Sequence, residues 1–317
     1  MERKLSIVVP VYNEEDSLEE LYMQILKNVN LCMDENLFTD FELLFVDDGS
    51  TDTSVDKIML LRKKDRRVKL IIFRKNFGKA AALQAAFTNV TGDMIITMDA
   101  DLQDDPIEIR NFIDKIDTGG YDLVSGWKIN RLDPLEKRLP SKLFNKVTSR
   151  MSGINLHDFN CGFKAYRREV VESLDIYGEL HRYIPVLAYR KGFKIGEIAV
   201  HHNKRKYGKS KYGAERYLRG LFDSISVSFI AKYYDKPMYF FGRIGLVMFG
   251  TGFFVCLILT IEWFMGSAIG TRPMLLLGVM LILMGIHFFC TGLIGDMLVE
   301  ATYKNRYTES HIKEKRL

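Results

Sequence analysis

The sequence predicts an α/β domain with a mostly parallel sheet, followed by a C-terminal hairpin of two transmembrane helices. Over the first two thirds of the 317 residues, short apolar runs alternate with segments of helical spacing, and this alternation is typical of βαβ units. The last third contains two stretches without a charged residue, 244–261 and 273–295. Crossing a bilayer takes about 20 apolar residues, so both stretches are long enough to span a membrane.

Five strands and four helices are predicted before the hairpin. The predicted strands are residues 5–10, 41–46, 68–73, 94–98 and 122–126. The predicted helices are residues 16–29, 53–63, 79–89 and 107–116. The strands are almost continuously apolar, which indicates a sheet that is covered on both faces.

The charges that flank the hairpin predict its orientation. Three basic residues precede the first apolar stretch, five follow the second, and only Arg272 lies between them. By the positive-inside rule, both termini and the soluble domain are expected in the cytoplasm. On length alone, a pair of buried core helices is the alternative. The four cysteines show neither metal-ligand nor disulfide spacing, as expected in a reducing compartment.

Four segments are expected along the chain. They are a soluble domain over residues 1–213, interfacial amphipathic helices over 214–236, two transmembrane helices at about 240–264 and 273–297 within 237–300, and a basic cytoplasmic tail over 301–317. An apolar stripe between residues 215 and 234 predicts the interfacial helices. Packing of these helices against the soluble domain would produce the same stripe.

Polar loops follow each of the first four predicted strands. In chain order they read VYNEE, DDGSTD, RKNFGKAAA and DADLQDD. Functional residues in parallel sheets gather at the carboxyl ends of the strands. One such loop is ordinary, but four in register predict a site along one edge of the sheet.

The fourth loop carries the strongest signal for a metal ion. Asp99 and Asp101 are separated by one residue directly after a strand, and two such carboxylates can share Mg²⁺ or Mn²⁺. Gln103 offers a further oxygen ligand. Asp104 and Asp105 are instead predicted to begin the next helix, where acidic side chains suit the positive helix end.

The second and third loops carry groups that suit a nucleotide. Gly78 and Lys79 open a helix, and backbone N–H groups at a helix N-terminus together with a lysine suit a phosphate. A surface helix that begins at a glycine is the alternative. Asp47 and Asp48 offer acceptors for base or ribose groups, although an isolated turn would show the same residues.

The segments SIVVPVYNEE, FVDDGSTDTS, RKNFGKAAAL and MDADLQDDP, in this order, resemble the family-2 inverting glycosyltransferases. That family has the GT-A fold, which is Rossmann-like with a mostly parallel sheet. Within it, the chain is similar to the polyprenyl-phosphate glycosyltransferases, the group that includes dolichol-phosphate mannose synthase and bactoprenol glucosyltransferases. The resemblance covers residues 5–241, and the two C-terminal spans match the membrane-anchored members.

The resemblance implies an inverting, metal-dependent hexosyltransferase. Such an enzyme transfers a sugar from a UDP- or GDP-sugar to a polyprenyl phosphate, undecaprenyl or dolichyl, at the cytoplasmic face of the cell membrane. The product would serve cell-envelope glycan or glycoconjugate modification. The expected partners are the donor, the lipid phosphate and the bilayer, without nucleic acid, and a homo-oligomer stays open.

The resemblance also implies a role for individual residues. The metal ligands are Asp99, Asp101 and Gln103, with Mg²⁺ or Mn²⁺ bridging the donor diphosphate. The nucleotide-sugar site consists of Pro10, Tyr12, Glu14, Asp47, Asp48, Gly78, Lys79, Asp99, Ala100 and Asp101. The catalytic residues are Asp158, Asp101 and Arg205.

Asp158 lies in HDFNCGFKAYRR, which matches the family segment with a carboxylate near the acceptor. A lipid monophosphate is largely ionised near neutral pH and needs little proton removal. We therefore expect Asp158 to orient the acceptor, with general base as the second choice and helix cap as the structural alternative.

Basic residues on both sides of Asp158 resemble those that contact phosphate in the family. The lipid-phosphate site would consist of Lys128, Arg131, Lys137, Arg138, Ser141, Arg205, Ser210 and Lys211. His181 and Arg182 match a helix that closes the acceptor side. A solvated basic surface or a nucleic-acid patch is the alternative for these charges.

Three other functions stay open from the sequence. A nucleotidyltransferase would use the same carboxylates but release pyrophosphate. A processive polysaccharide synthase would carry a Q-x-x-R-W segment and more spans, and the sequence contains neither. A non-catalytic scaffold would bind anionic lipid through the basic loops. The identity of the transferred sugar does not follow from these motifs.

Overall fold

The computed structural model describes residues 3–129, 145, 148–150, 152–178, 180–203, 206, 233, 236–270 and 272–303. The chain divides into two compact units, residues 1–227 and 228–317. Most of the predicted interfacial segment, 214–236, and of the predicted tail, 301–317, lies outside the described residues. The four predicted segments and their limits therefore stay a prediction.

The first unit is built on a mixed sheet, with seven strands in the described part of the chain. They are β1 (Lys4–Val11), β2 (Asp40–Asp47), β3 (Val68–Ile72), β4 (Met94–Thr97), β5 (Leu123–Lys128), β6 (Lys164–Arg167) and β7 (Ile195–Val200). Their order across the sheet is β3-β2-β1-β4-β6-β5-β7. Only β6 runs antiparallel to its neighbours β4 and β5, so the predicted mostly parallel sheet is confirmed.

Six α-helices with full bounds accompany the described strands. They are α1 (Leu18–Asp34), α2 (Ser54–Lys64), α3 (Lys79–Asn89), α4 (Ile109–Gly119), α5 (Arg168–Ser173) and α6 (Ile184–Arg190). Helix α1 contacts α2 and α4, whereas α3 contacts α5. Because α3 leads from β3 back past β1 to β4, a right-handed crossover places α3 on the face of the sheet opposite to α1 and α2.

The central strands are buried because both faces are covered. Ile7, Val8 and Val9 in β1 and Phe45 in β2 are fully buried. Burying a side chain of this size contributes about 1.5–3 kcal/mol. This explains why these strands read as unbroken apolar runs in the sequence instead of alternating ones.

The second unit contains two long apolar helices, α7 (Met238–Phe264) and α8 (Pro273–Tyr303). The segments Met238–Phe264 and Pro273–Ala301 are candidate membrane spans by length and composition. Most of their apolar surface is exposed: 17% and 11% of the most apolar window of each is buried. Exposed apolar helices of this kind disfavour the alternative of soluble core helices.

Glycines allow the two long helices to pack closely. A Cβ atom added at Gly252 would lie 2.6 Å from the carbonyl oxygen of Gly278, and one added at Gly285 would lie 2.6 Å from the backbone nitrogen of Phe249. Gly245 likewise faces the carbonyl oxygen of Gly285. Small residues at a helix interface let the backbones approach, which is the usual packing mode in membranes.

Candidate active site

The candidate site lies where the strand order reverses. From β1 the chain passes to β2 on one side of the sheet, and from β4 it passes to β5 on the other. Ligands of open α/β sheets bind in the crevice at such a switch point, outside the carboxyl ends of the strands. The loops after β1 and β4, which contain the predicted nucleotide and metal residues, flank this point.

The loop after β4 contains the three predicted metal ligands, Asp99, Asp101 and Gln103. Asp101 Oδ1 accepts a hydrogen bond from the backbone nitrogen of Gln103 at 3.2 Å, and Leu102 between them has a φ of 59°. Positive φ is uncommon for a residue with a side chain, so the loop holds a specific bend. Asp99 has room because position 162 is glycine: a Cβ there would lie 2.7 Å from Asp99 Oδ2.

Three lysines surround Asp99. Lys79 at the start of α3 forms an ion pair with the Asp99 carboxylate, and Lys128 and Lys164 at the ends of β5 and β6 add positive charge. Burial alone would raise the pKa of Asp99, but Lys79 and Lys128 outweigh it and the pKa is lowered. Burial also lowers the pKa of Lys164, which is 3% exposed. The three lysines therefore place positive charge around the Asp99 carboxylate.

Asp104 does not begin a helix, contrary to the prediction. Its side chain is fully buried, lies 3.1 Å from Lys128 Nζ and accepts from the Asp99 backbone nitrogen at 3.2 Å. Burial opposes the charge of Lys128, but Asp104 outweighs it and raises the lysine pKa. The bend in the loop turns Asp104 inward, where it balances that cation. Asp105 does begin the helical turn, accepting from Ile107 N at 3.1 Å.

Asp99 and Asp101 are the residues that fit a divalent cation. Among the described residues, no group of three or more Asp, Glu, His or Cys side chains is placed to hold a metal ion. Mg²⁺ commonly binds one or two carboxylates and takes its other ligands from water and substrate phosphates. The pair therefore fits a cation shared with a bound diphosphate and does not fit a metal held by the protein alone.

Asp48 fixes the start of α3. Its carboxylate accepts from the backbone nitrogens of Phe77 at 2.7 Å and Gly78 at 2.9 Å. Burial raises the pKa of Asp48, and these two bonds offset only part of that effect. The N–H of Gly78, which the sequence predicted to suit a phosphate, therefore points to Asp48 in this structure, and Lys79 points to Asp99.

Asp47 shapes the turn after β2. It is fully buried, and its Oδ2 accepts from the backbone nitrogens of Gly49 at 3.1 Å and Ser50 at 3.0 Å. Gly49 has a φ of +73°, and a Cβ there would lie 2.4 Å from the carbonyl carbon of Lys75. Glycine is therefore required for the close approach of the second and third loops.

The loop after β1 is tied to the loop after β2. Glu14 donates from its backbone nitrogen to Ser54 Oγ at 3.0 Å, and Asn13 donates to Ser50 Oγ at 2.9 Å. Tyr12 is exposed at the sheet edge, which suits contact with a base. Pro10 pairs with β2 inside the sheet, and Ala100 is buried after β4.

Asp158 and His181 are among the residues predicted for the acceptor side. Asp158 is 2% exposed, and its Oδ1 accepts from the backbone nitrogen of Asn160 at 3.1 Å. Within the described residues no helix begins at Asp158, so the helix-cap alternative is not supported. His181 has a buried Nδ1, and burial, reinforced by Lys79, lowers its pKa to about 3.

The segment after β7 pairs with the loop after β4, which contains the predicted metal ligands. Asn203 donates from its backbone nitrogen to the carbonyl oxygen of Gln103 at 2.9 Å, and the Gln103 side chain donates to the carbonyl of Asn203 at 3.4 Å. Of the predicted phosphate ligands, Lys128 lies in the lysine cluster. The others lie outside the described residues: Arg131, Lys137, Arg138, Ser141, Arg205, Ser210 and Lys211.

Comparison with known proteins decides the family. The family described as Glycosyl transferase family 2 matches residues 6–175, more than half of the chain. The chain belongs to this family. Its resemblance to the polyprenyl-phosphate group is confirmed by a curated relative, the dodecaprenyl-phosphate galacturonate synthase of Rhizobium johnstonii. That protein is 35% identical over 314 residues, which cover 98% of this chain and 91% of the relative.

Solved structures of glucosyl-3-phosphoglycerate synthase from Mycobacterium tuberculosis share the fold. One complex with Mn²⁺, UDP-glucose and phosphoglyceric acid has a TM-score of 0.54 at 18% identity, covering 72% of this chain and 79% of that one. Another, with Mn²⁺, UDP and glucosyl-3-phosphoglycerate, has a TM-score of 0.53 at 17% identity, covering 72% and 80%. At this identity the likeness concerns the fold alone, and the predicted GT-A architecture is confirmed.

Proposed function

We propose that the protein transfers a sugar from a UDP- or GDP-hexose to a polyprenyl phosphate, undecaprenyl or dolichyl, with inversion at the anomeric carbon. The observation that carries the proposal is the 35% identity, over 98% of the chain, to a dodecaprenyl-phosphate galacturonate synthase. The product would be a polyprenyl-phosphate sugar for cell-envelope glycan or glycoconjugate modification. Membership of a glycosyltransferase family does not favour a nucleotidyltransferase or a scaffold.

In the proposed mechanism the acceptor phosphate attacks opposite the leaving nucleoside diphosphate. Asp99, Asp101 and Gln103 would hold Mg²⁺ or Mn²⁺, which would supply Lewis-acid neutralisation of the leaving diphosphate. Lys79 and Lys128 contribute fixed positive charge beside the same place, which stabilises charge that develops in the transition state. Asp158 orients the acceptor, because an ionised phosphate needs little help from a base.

The membrane helices suit a lipid-linked acceptor. We propose that α7 and α8 span the membrane as a hairpin, with both termini and the catalytic unit in the cytoplasm. The distribution of basic residues around the two apolar stretches supports this orientation. A catalytic unit held at the cytoplasmic face would meet both a water-soluble donor and a membrane-bound phosphate. Nucleic acid has no role in this scheme, and self-association is left open.

The experiment uses the full chain in nanodiscs that contain undecaprenyl phosphate. Mg²⁺ or Mn²⁺ and a panel of UDP- and GDP-sugars are added, and mass spectrometry identifies any glycolipid. One donor is expected to give a polyprenyl-phosphate sugar with release of the nucleoside diphosphate, and NMR is expected to show an inverted anomeric carbon. Release of pyrophosphate would indicate a nucleotidyltransferase instead. Folded protein that forms no glycolipid from any donor would refute the proposal.

Matched aspartate variants test the metal site. Asp101→Asn removes a proposed ligand charge and is expected to lower kcat by about 10²-fold or more, because transition-state charge is then left less balanced. Asp105→Asn in the same loop is the control, since Asp105 only begins the next helical turn. Equal activity of both variants would contradict the assignment of Asp101. It would also favour a non-catalytic role for the acidic loop.

A further inference from the structure

The loop that carries Asp158 is held by a carboxylate from the far edge strand of the sheet. Glu197 in β7 accepts from the backbone nitrogen of His157 at 2.9 Å through Oε1 and from that of Asp158 at 3.1 Å through the same oxygen. Its other oxygen lies 2.8 Å from His157 Nδ1. Three donor groups of two neighbouring residues thus converge on one side chain.

A second strand holds the same loop through its carbonyl groups. Ser125 in β5 is in register with Glu197 in β7, so their side chains project from the same face of the sheet. Ser125 Oγ donates to the carbonyl oxygen of Asp158 at 3.4 Å, and Asn145 donates to that of His157 at 2.8 Å. The sheet therefore supplies an acceptor for the N–H groups of the loop and a donor for one of its carbonyls.

The ring of His157 is also held in place by two contacts. It stacks on Trp127 with the ring centroids 4.0 Å apart and the planes 14° from parallel. Glu197 bonds the edge of the same ring. His157, the residue before Asp158, is therefore held through both its main chain and its side chain.

Burial explains why Glu197 is effective as an anchor. Its side chain is 12% exposed, and a carboxylate removed from water needs hydrogen-bond donors in return. The described hydrogen bonds of the Glu197 side chain all lead to the Asp158 loop. The loop and the strand therefore stabilise each other in a single arrangement, and neither can move without leaving a charge or two N–H groups unsatisfied.

We propose that Glu197 is a positioning residue that sets the place of Asp158 at the acceptor side of the site. The inference rests on the proposed function, in which Asp158 orients the acceptor phosphate. Glu197 itself does not touch substrate in this scheme. It acts through the two backbone N–H groups that fix the start of the loop.

Two substitutions separate the effect of the length of the Glu197 side chain from the effect of its charge. Glu197→Gln keeps an acceptor oxygen at the same distance, so both backbone N–H groups stay satisfied. Glu197→Asp keeps the charge but withdraws the carboxylate by one methylene. We expect Glu197→Gln to lose less than about threefold in kcat, and Glu197→Asp to lose about 10²-fold, as for a misplacement of about 1 Å. The KM for the donor is expected to stay unchanged in both.

A double-mutant cycle with Asp158→Ala distinguishes positioning from general stability. If Glu197 acts only through Asp158, adding Glu197→Asp to Asp158→Ala is expected to lower kcat by less than about threefold further. Multiplicative losses, or equal damage from Glu197→Gln and Glu197→Asp, would overturn the proposal. So would full activity of Asp158→Ala. Glu172→Asp, on the exposed surface of α5, is the matched control.

Separate control experiments test the folding of each variant and its binding of the nucleotide. Each variant is checked by thermal unfolding, in which Glu197→Asp is expected to unfold at a lower temperature than the wild type but to stay folded at the assay temperature. The affinity of each variant for the nucleoside diphosphate of the active donor is expected to match that of the wild type. If Glu197→Asp does not fold, Glu197→Ala, which removes the buried charge, replaces it in the cycle. A wild-type protein that makes no glycolipid refutes the proposed function. Glycolipid synthesis with an additive cycle refutes only the positioning role.

Discussion

Replacing Gly162 by alanine should damage the proposed metal site while leaving the fold intact. A Cβ at this position would lie 2.7 and 2.8 Å from the two carboxylate oxygens of Asp99 and 2.9 Å from its Cγ. The atoms nearest to the new methyl group therefore all belong to one proposed metal ligand. The backbone of Gly162 does not have the left-handed φ that would strain an alanine. The overlap of the new methyl group with Asp99 is therefore the direct effect of the substitution.

The size of the effect follows from the overlap. Ordinary contact begins at 3.4 Å, so a methyl group at 2.7 Å must displace the Asp99 carboxylate by about 0.7 Å. A displacement of about 1 Å at a catalytic group can cost 10²-fold in rate. We therefore expect kcat to fall by about 30- to 100-fold, equivalent to about 2–3 kcal/mol in the activation barrier.

Two measurements check this prediction. Manganese binding in the presence of the nucleoside diphosphate, followed by electron paramagnetic resonance, should weaken in Gly162→Ala, and glycolipid synthesis should slow by the stated factor. The midpoint of thermal unfolding should change little, because Asp99 is at a partly exposed edge. Gly250→Ala is the control, since a Cβ there meets nothing within 4 Å. Unchanged metal affinity and rate in Gly162→Ala would refute the proposed role of Asp99.

Two further predictions concern stability. Burial raises the pKa of Glu42, but hydrogen bonds from Lys69, Ser6 and Thr91 outweigh it and lower the pKa from 4.5 to about 2. This stabilises the fold by about 3 kcal/mol above pH 4.5, and the contribution is lost as the pH falls towards 2. Urea unfolding should therefore show Glu42→Gln destabilised at pH 7 and less so at pH 3; an equal deficit at both would contradict it. Gly252→Leu should separate α7 from α8, because its side chain overlaps the opposing backbone, and cross-linking of cysteines placed along the hairpin should fall relative to Gly250→Leu.

The sequence predicts the first five strands of the sheet better than the last two. Strands β1 to β5 and helices α1 to α4 were all predicted, because their apolar runs and helical spacing are local features. Strand β6 (Lys164–Arg167) is only four residues long and begins and ends with a basic residue. Strand β7 (Ile195–Val200) contains a glycine and a glutamate. Neither is a continuous apolar run, and their places depend on pairing with other strands: β6 pairs with β4 and β5, and β7 pairs with β5.

The same division holds for the site. Asp99 and Asp101 were predicted because they share one loop with a recognisable spacing. Lys164 and Glu197 were not predicted, because each acts on a residue that is distant in the chain. The prediction for Asp104 was wrong, because its side chain folds back onto its own loop. Glu197, for example, acts 39 residues from Asp158. A carboxylate in the middle of a short strand is the only local sign that such a contact is needed, since a charge there needs a partner.

The way the loops are held has a consequence for how the enzyme could vary. On the β1–β4 half, the loops of the proposed donor site are tied to one another by contacts between distant residues, as the Asp48 carboxylate holds the backbone nitrogen of Gly78, 30 residues away. On the β5–β7 half, the proposed acceptor site is assembled by long-range contacts that end on the backbone of the Asp158 loop. Backbone contacts fix the path of the loop without dictating the side chains it presents. The side chains that the Asp158 loop presents can therefore change while Glu197 keeps its backbone in place, and the same holds for the loop whose backbone Asp48 fixes.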